Sequence, residues 1–202
     1  TIGYNVISQI PMFKKFSEII LYHHERYDGS GYPKGLKKDE IPILAAVLSI
    51  ADSFDAMTST RIYNRTKTVE KALIEIEKIL SNAPANSRAY YLKGMCKLKL
   101  NKEQESIDDF NAAITLNPAE FDAYGERGKL LSKYGNHAQA ISDLNYFLSK
   151  SPNDLESYFY RGSSYLNSGN TANAKNDFEK VLSINSKTAG AYYNLGLVYV
   201  QM

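Results

Sequence analysis

His23-His24-Glu25-Arg26-Tyr27-Asp28-Gly29-Ser30-Gly31-Tyr32-Pro33 decides how this chain is read, because two adjacent imidazoles run straight into a glycine-rich turn. Neutral imidazole is the commonest metal ligand among side chains. Neighbouring residues on a helix point about 100° apart, so a pair can address two metal ions. Gly29, Gly31 and Gly35 allow the sharp bends of a loop, while Pro33 fixes its own φ and pushes Tyr32 towards an extended backbone. A plainer reading competes: a polar helix end followed by a surface turn.

Outward from that stretch, further residues decide between the two readings. Ile2-Gly3-Tyr4, His23-His24-Glu25, Asp28 to Pro33, Gly35-Leu36, Ile41-Pro42, Ala51-Asp52, Phe54-Asp55-Ala56 and Arg61-Ile62-Tyr63 stand in one register. Together they resemble the C-terminal half of the HD-GYP family, bacterial phosphodiesterases that hydrolyse cyclic di-GMP at a binuclear or trinuclear metal centre. The resemblance implies His23, His24 and Asp52 as metal ligands, and iron or manganese as the metals of the complete domain. Carboxylate with imidazole suits iron, manganese or zinc alike. In such families the metals activate water for attack on phosphorus and stabilise charge on the phosphoryl oxygens. The resemblance also places the substrate against Gly31, Tyr32, Pro33 and Arg61, with Tyr32 against a guanine and the Arg61 fork on a phosphate. Simpler roles stay open: Tyr32 packing its loop, Arg61 closing a helix end.

Local patterns place these residues on helices. Ile2–Ile10 reads as a helix ended by Pro11, and Met12–Arg26 as a second, with Phe13, Phe16, Ile19, Ile20 and His23 at helical spacing. Pro42 is suited to open a helix that runs to about Thr58, with an apolar stripe of Ile43, Val47, Ile50, Ala51 and Phe54. Ala45, Ser49, Asp52 and Ala56 make another stripe, whose small side chains leave space for an ion beside the carboxylate.

The family's His-Asp pair, its lysine and a further ligand histidine have no counterpart in this chain. His137, the remaining histidine, stands at a turn far along the sequence. The chain is therefore expected to be a piece of a longer enzyme and inactive alone, an expectation shared by its opening on Thr1 and its stop at Met202 within a helical pattern.

From Ser87 the pattern changes to a 34-residue period. Gly94, Gly128, Gly162 and Gly196 share one frame with Tyr90, Tyr124, Tyr158 and Tyr192, and with Phe110, Leu144 and Phe178. Asn101, Gly135 and Gly169, types that tolerate the left-handed conformation, end each first helix. Pro118 and Pro152 follow the second helices. This resembles the tetratricopeptide repeat, helix-turn-helix units stacked into a solenoid. Such repeats commonly hold a peptide or protein in a groove lined by their first helices. Here the groove positions are Tyr91, Met95, Lys99, Lys129, Lys133, Phe159, Ser163, Asn167, Tyr193 and Leu197. For the aromatic ones, core packing is an equal alternative.

The expected fold is all-α: a partial HD-type helical domain at 1–66, a shared junction helix at 67–84, and repeats at 87–120, 121–154 and 155–188 with a fourth beginning at 189–202. Val69, Ala72, Ile76, Ile79 and Pro84 lie on the repeat frame, which argues for a packed junction.

Composition narrows the partners. Lys plus Arg number 24 against 22 Asp plus Glu, with both signs spread along the chain, so no strong field points to a nucleic-acid polymer. Cys96 is the single cysteine, which excludes an intrachain disulfide. The longest mainly apolar run, Ile41 to Ala51, is too short for a membrane span. A cytoplasmic place in bacterial second-messenger signalling fits both. Two functions follow: a fragment of a metal-dependent cyclic di-GMP phosphodiesterase with a protein-interaction domain, or a non-catalytic repeat scaffold carrying an incomplete Gly-Tyr-Pro unit.

Overall fold

The computed structural model describes the backbone of residues 4, 5, 8–58 and 65–202, and of these all side chains except those of 53–58 and 65–68. The described residues are helical, without a named strand. They divide into two compact units, Thr1–Asp109 and Phe110–Met202.

In the first unit, a 3-10 turn at Lys14–Phe16 leads into α1 (Ser17–Tyr22). The helix expected over Met12–Arg26 is thus much shorter. Its stripe loses Phe13 and Phe16, both exposed, because the chain has not yet entered the α-helix there. It ends at Tyr22 because His23 to Arg26 turn into the loop, with the Glu25 amide donating to the Tyr22 carbonyl at 2.9 Å. Of the helix expected over Ile2–Ile10, residues 4, 5 and 8 are helical, 9 and 10 have left the helix, and 2, 3, 6 and 7 lie outside the described residues.

Helix α2 (Ile43–Thr58) starts one residue after Pro42, whose carbonyl accepts from Ala45 and Ala46. Ala45, Val47 and Ile50 are its buried face, while Ile43 is exposed. Helix α3 (Arg65–Asn82) buries Val69, Ala72, Ile76, Ile79 and Leu80. With Val47 and Ile50 on one side and Ala89, Leu92 and Cys96 of α4 (Ser87–Lys99) on the other, they form one continuous core. Asn86 caps α4 by accepting from the Ala89 amide at 3.0 Å, a contact that satisfies a first-turn donor. Helix α5 (Glu103–Leu116) completes the first helix pair, and the division between the two units falls within it.

The second unit continues with α6 (Phe121–Lys133), α7 (His137–Lys150), α8 (Leu155–Asn167), α9 (Thr171–Ile184) and α10 (Ala189–Gln201). Two of the periodic glycines, Gly128 and Gly162, sit where paired helices touch, whereas a β-carbon on Gly196 would meet nothing within 4 Å. A β-carbon on Gly128 would stand 2.8 Å from Leu144 Cγ, and one on Gly162 3.0 Å from Phe178 Cε1. Asn101, Gly135 and Gly169 adopt φ of 59°, 83° and 75°, the left-handed turns that their position after each first helix requires.

One charge pattern in the same frame escaped the sequence reading. Arg127 donates through Nε and Nη2 to the two carboxylate oxygens of Asp143 at 2.7 and 2.8 Å, and through Nη1 to Asn111 at 2.7 Å. Arg161 repeats this with Asp177 and Asn145. Each arginine holds acceptors 16 residues before and after it. In the first unit Lys93 takes the same place, 3.6 Å from Glu77 and 3.9 Å from Asp109. Burial pushes the Asp143 carboxyl above its usual range, against the opposing pull of Arg127.

Candidate metal centre

The end of α1 and the middle of α2 bring three side chains to one point. One ligand atom each from His23, His24 and Asp52 lie within 4.8 Å of one another. His23 and His24 are half-buried and Asp52 is exposed, so the cluster opens to solvent through the carboxylate. The expected splay of adjacent helical imidazoles is not what forms. Because α1 stops at Tyr22, His24 lies in the turn, and the two ring centroids are 3.8 Å apart. Two imidazoles and a carboxylate so placed can converge on a single ion. The donor set fits a borderline divalent metal.

The first imidazole is oriented. His23 Nδ1 lies 2.7 Å from the Ile20 carbonyl, which only accepts, so Nδ1 carries the proton and Nε2 presents the lone pair. A carbonyl behind a ligating histidine fixes both tautomer and ring plane. Tyr32 stacks on the second imidazole at 4.8 Å with the planes 30° apart, and its amide donates to the His24 carbonyl at 3.3 Å. More than half of Tyr32 remains exposed.

The loop is held by its own polar atoms. Asp28 accepts from the hydroxyl and the amide of Ser30, and these bonds hold its carboxyl below the usual range. Gly29 and Gly35 take φ of 81° and 66°, which a β-carbon would strain. Gly31 touches the backbone that carries the ligands: a β-carbon there would stand 2.2 Å from the Arg26 nitrogen. Glu25, only 4% exposed, accepts from the amides of Lys34 at 2.5 Å and Leu36 at 2.9 Å. Asn82 at the end of α3 donates to the Tyr27 hydroxyl and to Asp39, both at 2.9 Å. Sequence reading carried Glu25 only as part of the motif and did not find the Asn82 contacts, which pair residues 43 and 55 positions apart.

Pro33 is exposed next to Tyr32. Arg61 lies outside the described residues, as do the side chains of Phe54 and Asp55. Among the expected groove positions, Tyr91, Met95 and Lys99 stand on α4 in the first unit. In the second unit, Lys129 is bonded to Glu126 at 3.0 Å and Glu156 at 3.1 Å. Phe159 packs edge-on against Phe178, and Ser163 and Asn167 bond to carbonyls of their own helix. Lys133 is exposed near the end of α6, and Tyr193 and Leu197 are exposed on α10.

Comparison with known proteins finds two families along the chain. Residues 1–82 match the HD domain family, and residues 87–120 and 155–188 match the tetratricopeptide repeat. The chain is 51% identical over 81 residues to a cyclic di-GMP phosphodiesterase of Thermotoga maritima, covering 39% of this chain and 22% of that protein. It is 35% identical over 78 residues to 3'3'-cGAMP-specific phosphodiesterase 3 of Vibrio cholerae, covering 39% and 17%. It thus spans about a fifth of the length of these relatives. In fold it is similar to MamA residues 41-end from Desulfovibrio magneticus RS-1, with a TM-score of 0.63 at 17% identity over 77% of this chain and 85% of that one. No helix among the described residues is long and apolar enough to cross a membrane. The chain carries an HD domain at its N-terminus, related to the HD-GYP cyclic di-GMP phosphodiesterases, followed by tetratricopeptide repeats.

Proposed function

We propose that residues 1–66 belong to the catalytic domain of a metal-dependent cyclic dinucleotide phosphodiesterase, and that the repeats attach it to a protein partner. The convergence of His23, His24 and Asp52 within 4.8 Å carries this reading. These three residues would hold the metal, iron or manganese before zinc. A divalent ion bound there supplies Lewis acidity towards phosphoryl oxygens and lowers the pKa of a coordinated water. The chain's own residues bind and orient. His23 is held by Ile20, Tyr32 offers an exposed ring face for a nucleobase, and Arg61 is the expected phosphate partner. Cyclic di-GMP is the first substrate to test and 3'3'-cGAMP the second, since relatives of both names match the chain, over 81 and 78 residues. Helix α3 is proposed to serve both halves, supported by its core shared with α4 and by the Lys93–Glu77 contact in the repeat register.

The test is metal content. After anaerobic loading with iron or manganese, the chain should retain about one ion or more, and a His23→Ala/His24→Ala/Asp52→Ala variant none. Equal content in both would sink the metal centre. Hydrolysis of the two cyclic dinucleotides by the loaded chain, compared with a longer form that includes upstream sequence, then separates an incomplete enzyme from an inert one.

The exposure of Tyr193 and Leu197 favours a second reading, a scaffold whose working surface is the repeats. Partner capture unchanged by Tyr193→Ala/Leu197→Ala would count against it.

A further inference from the structure

Glu25 has no role in the metal centre as described, yet its carboxylate is almost fully buried beside a proposed ligand. Its two oxygens are both used, and both partners are backbone amides of the same loop: Oε1 takes Lys34 and Oε2 takes Leu36. Between Glu25 and those amides lies the whole Gly-Tyr-Pro turn. Gly31 is pressed onto the backbone of His24, Glu25 and Arg26, and Tyr32 is bonded to the His24 carbonyl and stacked on its ring. The carboxylate therefore closes a ring of contacts around one object, the position of the Tyr32 ring over His24.

We infer that Glu25 is a positioning residue: by clamping the amides of Lys34 and Leu36 it holds Tyr32 against His24, and so sets the face on which a nucleobase stacks beside the metal. The dinucleotide part rests on the hydrolase reading; the clamp itself does not. Glutamine cannot replace the carboxylate here, because one of its two ends is a donor and would face another donor. Aspartate is shorter by one methylene and cannot reach both amides.

Glu25→Gln is tested in the full 202-residue chain by NMR and by ligand titration. The amides of Tyr32, Lys34 and Leu36 should exchange about tenfold faster or more, since an amide bond to a charged acceptor is lost. The ring-current shift that Tyr32 imposes on His24 should collapse, while protection in α3 and α4 and the metal content stay unchanged. Affinity for cyclic di-GMP should fall about tenfold, and Glu25→Gln should cost nothing further once Tyr32→Ala is present. Unchanged loop exchange with an unchanged His24 shift overturns the inference, as do additive losses in the double variant. If Glu25→Gln fails to fold, the wild type decides: free-peptide exchange at both Lys34 and Leu36 overturns the clamp, and strong protection of both supports it. A wild type that binds neither metal nor dinucleotide, but loses the Tyr32–His24 stack in Glu25→Gln, sinks the hydrolase reading and leaves the clamp standing.

Discussion

Gly31 leaves no room for even a methyl group, because its neighbours are backbone atoms that cannot rotate away. Gly31→Ala should therefore displace the turn and lower the stability of the first unit by about 1–3 kcal/mol, in the range of other overpacked sites. Denaturant unfolding, with the Tyr32 amide signal as a local probe, checks both effects. Cys96 offers an opposite case, a side chain kept inert by its surroundings. Burial pushes its thiol up to about 11 from 9.0. The folded-state value is the raised one, so its contribution to stability is full below 9.0 and is lost as pH rises towards 11. At pH 8 Cys96 should resist iodoacetamide in the native chain and react at once in denaturant, which mass spectrometry reads directly.

At the scale of elements, the contacts with most to lose are the charged ones between helices. Arg127→Ala leaves the buried Asp143 carboxylate without its partner and should cost about 3–5 kcal/mol. Asn111→Ala removes one bond from the same guanidinium and should cost about 1–3 kcal/mol. Thermal unfolding of the two variants side by side tests the ranking. Asn82→Ala, which releases Tyr27 and Asp39, should cost about 1 kcal/mol and raise amide exchange from Tyr27 to Glu40. Much of this level was legible in the sequence. The period of 34 set the repeat helices, and the left-handed turns at Asn101, Gly135 and Gly169 fall where glycine or asparagine stood in frame. His23, His24 and Asp52 lie together, and the nearness of the two imidazoles comes from a helix that stops early. Just past that stop, Glu25 reaches amides nine and eleven residues away, which no helical periodicity encodes. The arginine pairs were visible in principle, since Lys93, Arg127 and Arg161 share the frame, as do Asp109, Asp143 and Asp177.

For the whole molecule, two compact units imply that a ligand of one stabilises that one first. A metal bound at His23, His24 and Asp52 at a hundred times its dissociation constant should add about 2.7 kcal/mol to the first unit. Calorimetry with and without chelator should show the metal moving one transition while the second stays in place. Within the second unit, the arginine pairs have a consequence for length. Removing residues 127–160 would set Arg161 sixteen places after Asn111 and leave Asp177 sixteen places after it, so the same three partners could join again. A cut of another size between an arginine and the aspartate sixteen places on would break that spacing and strand a buried carboxylate. Whole steps of 34 therefore keep every such set of partners, the way a ladder changes height by rungs.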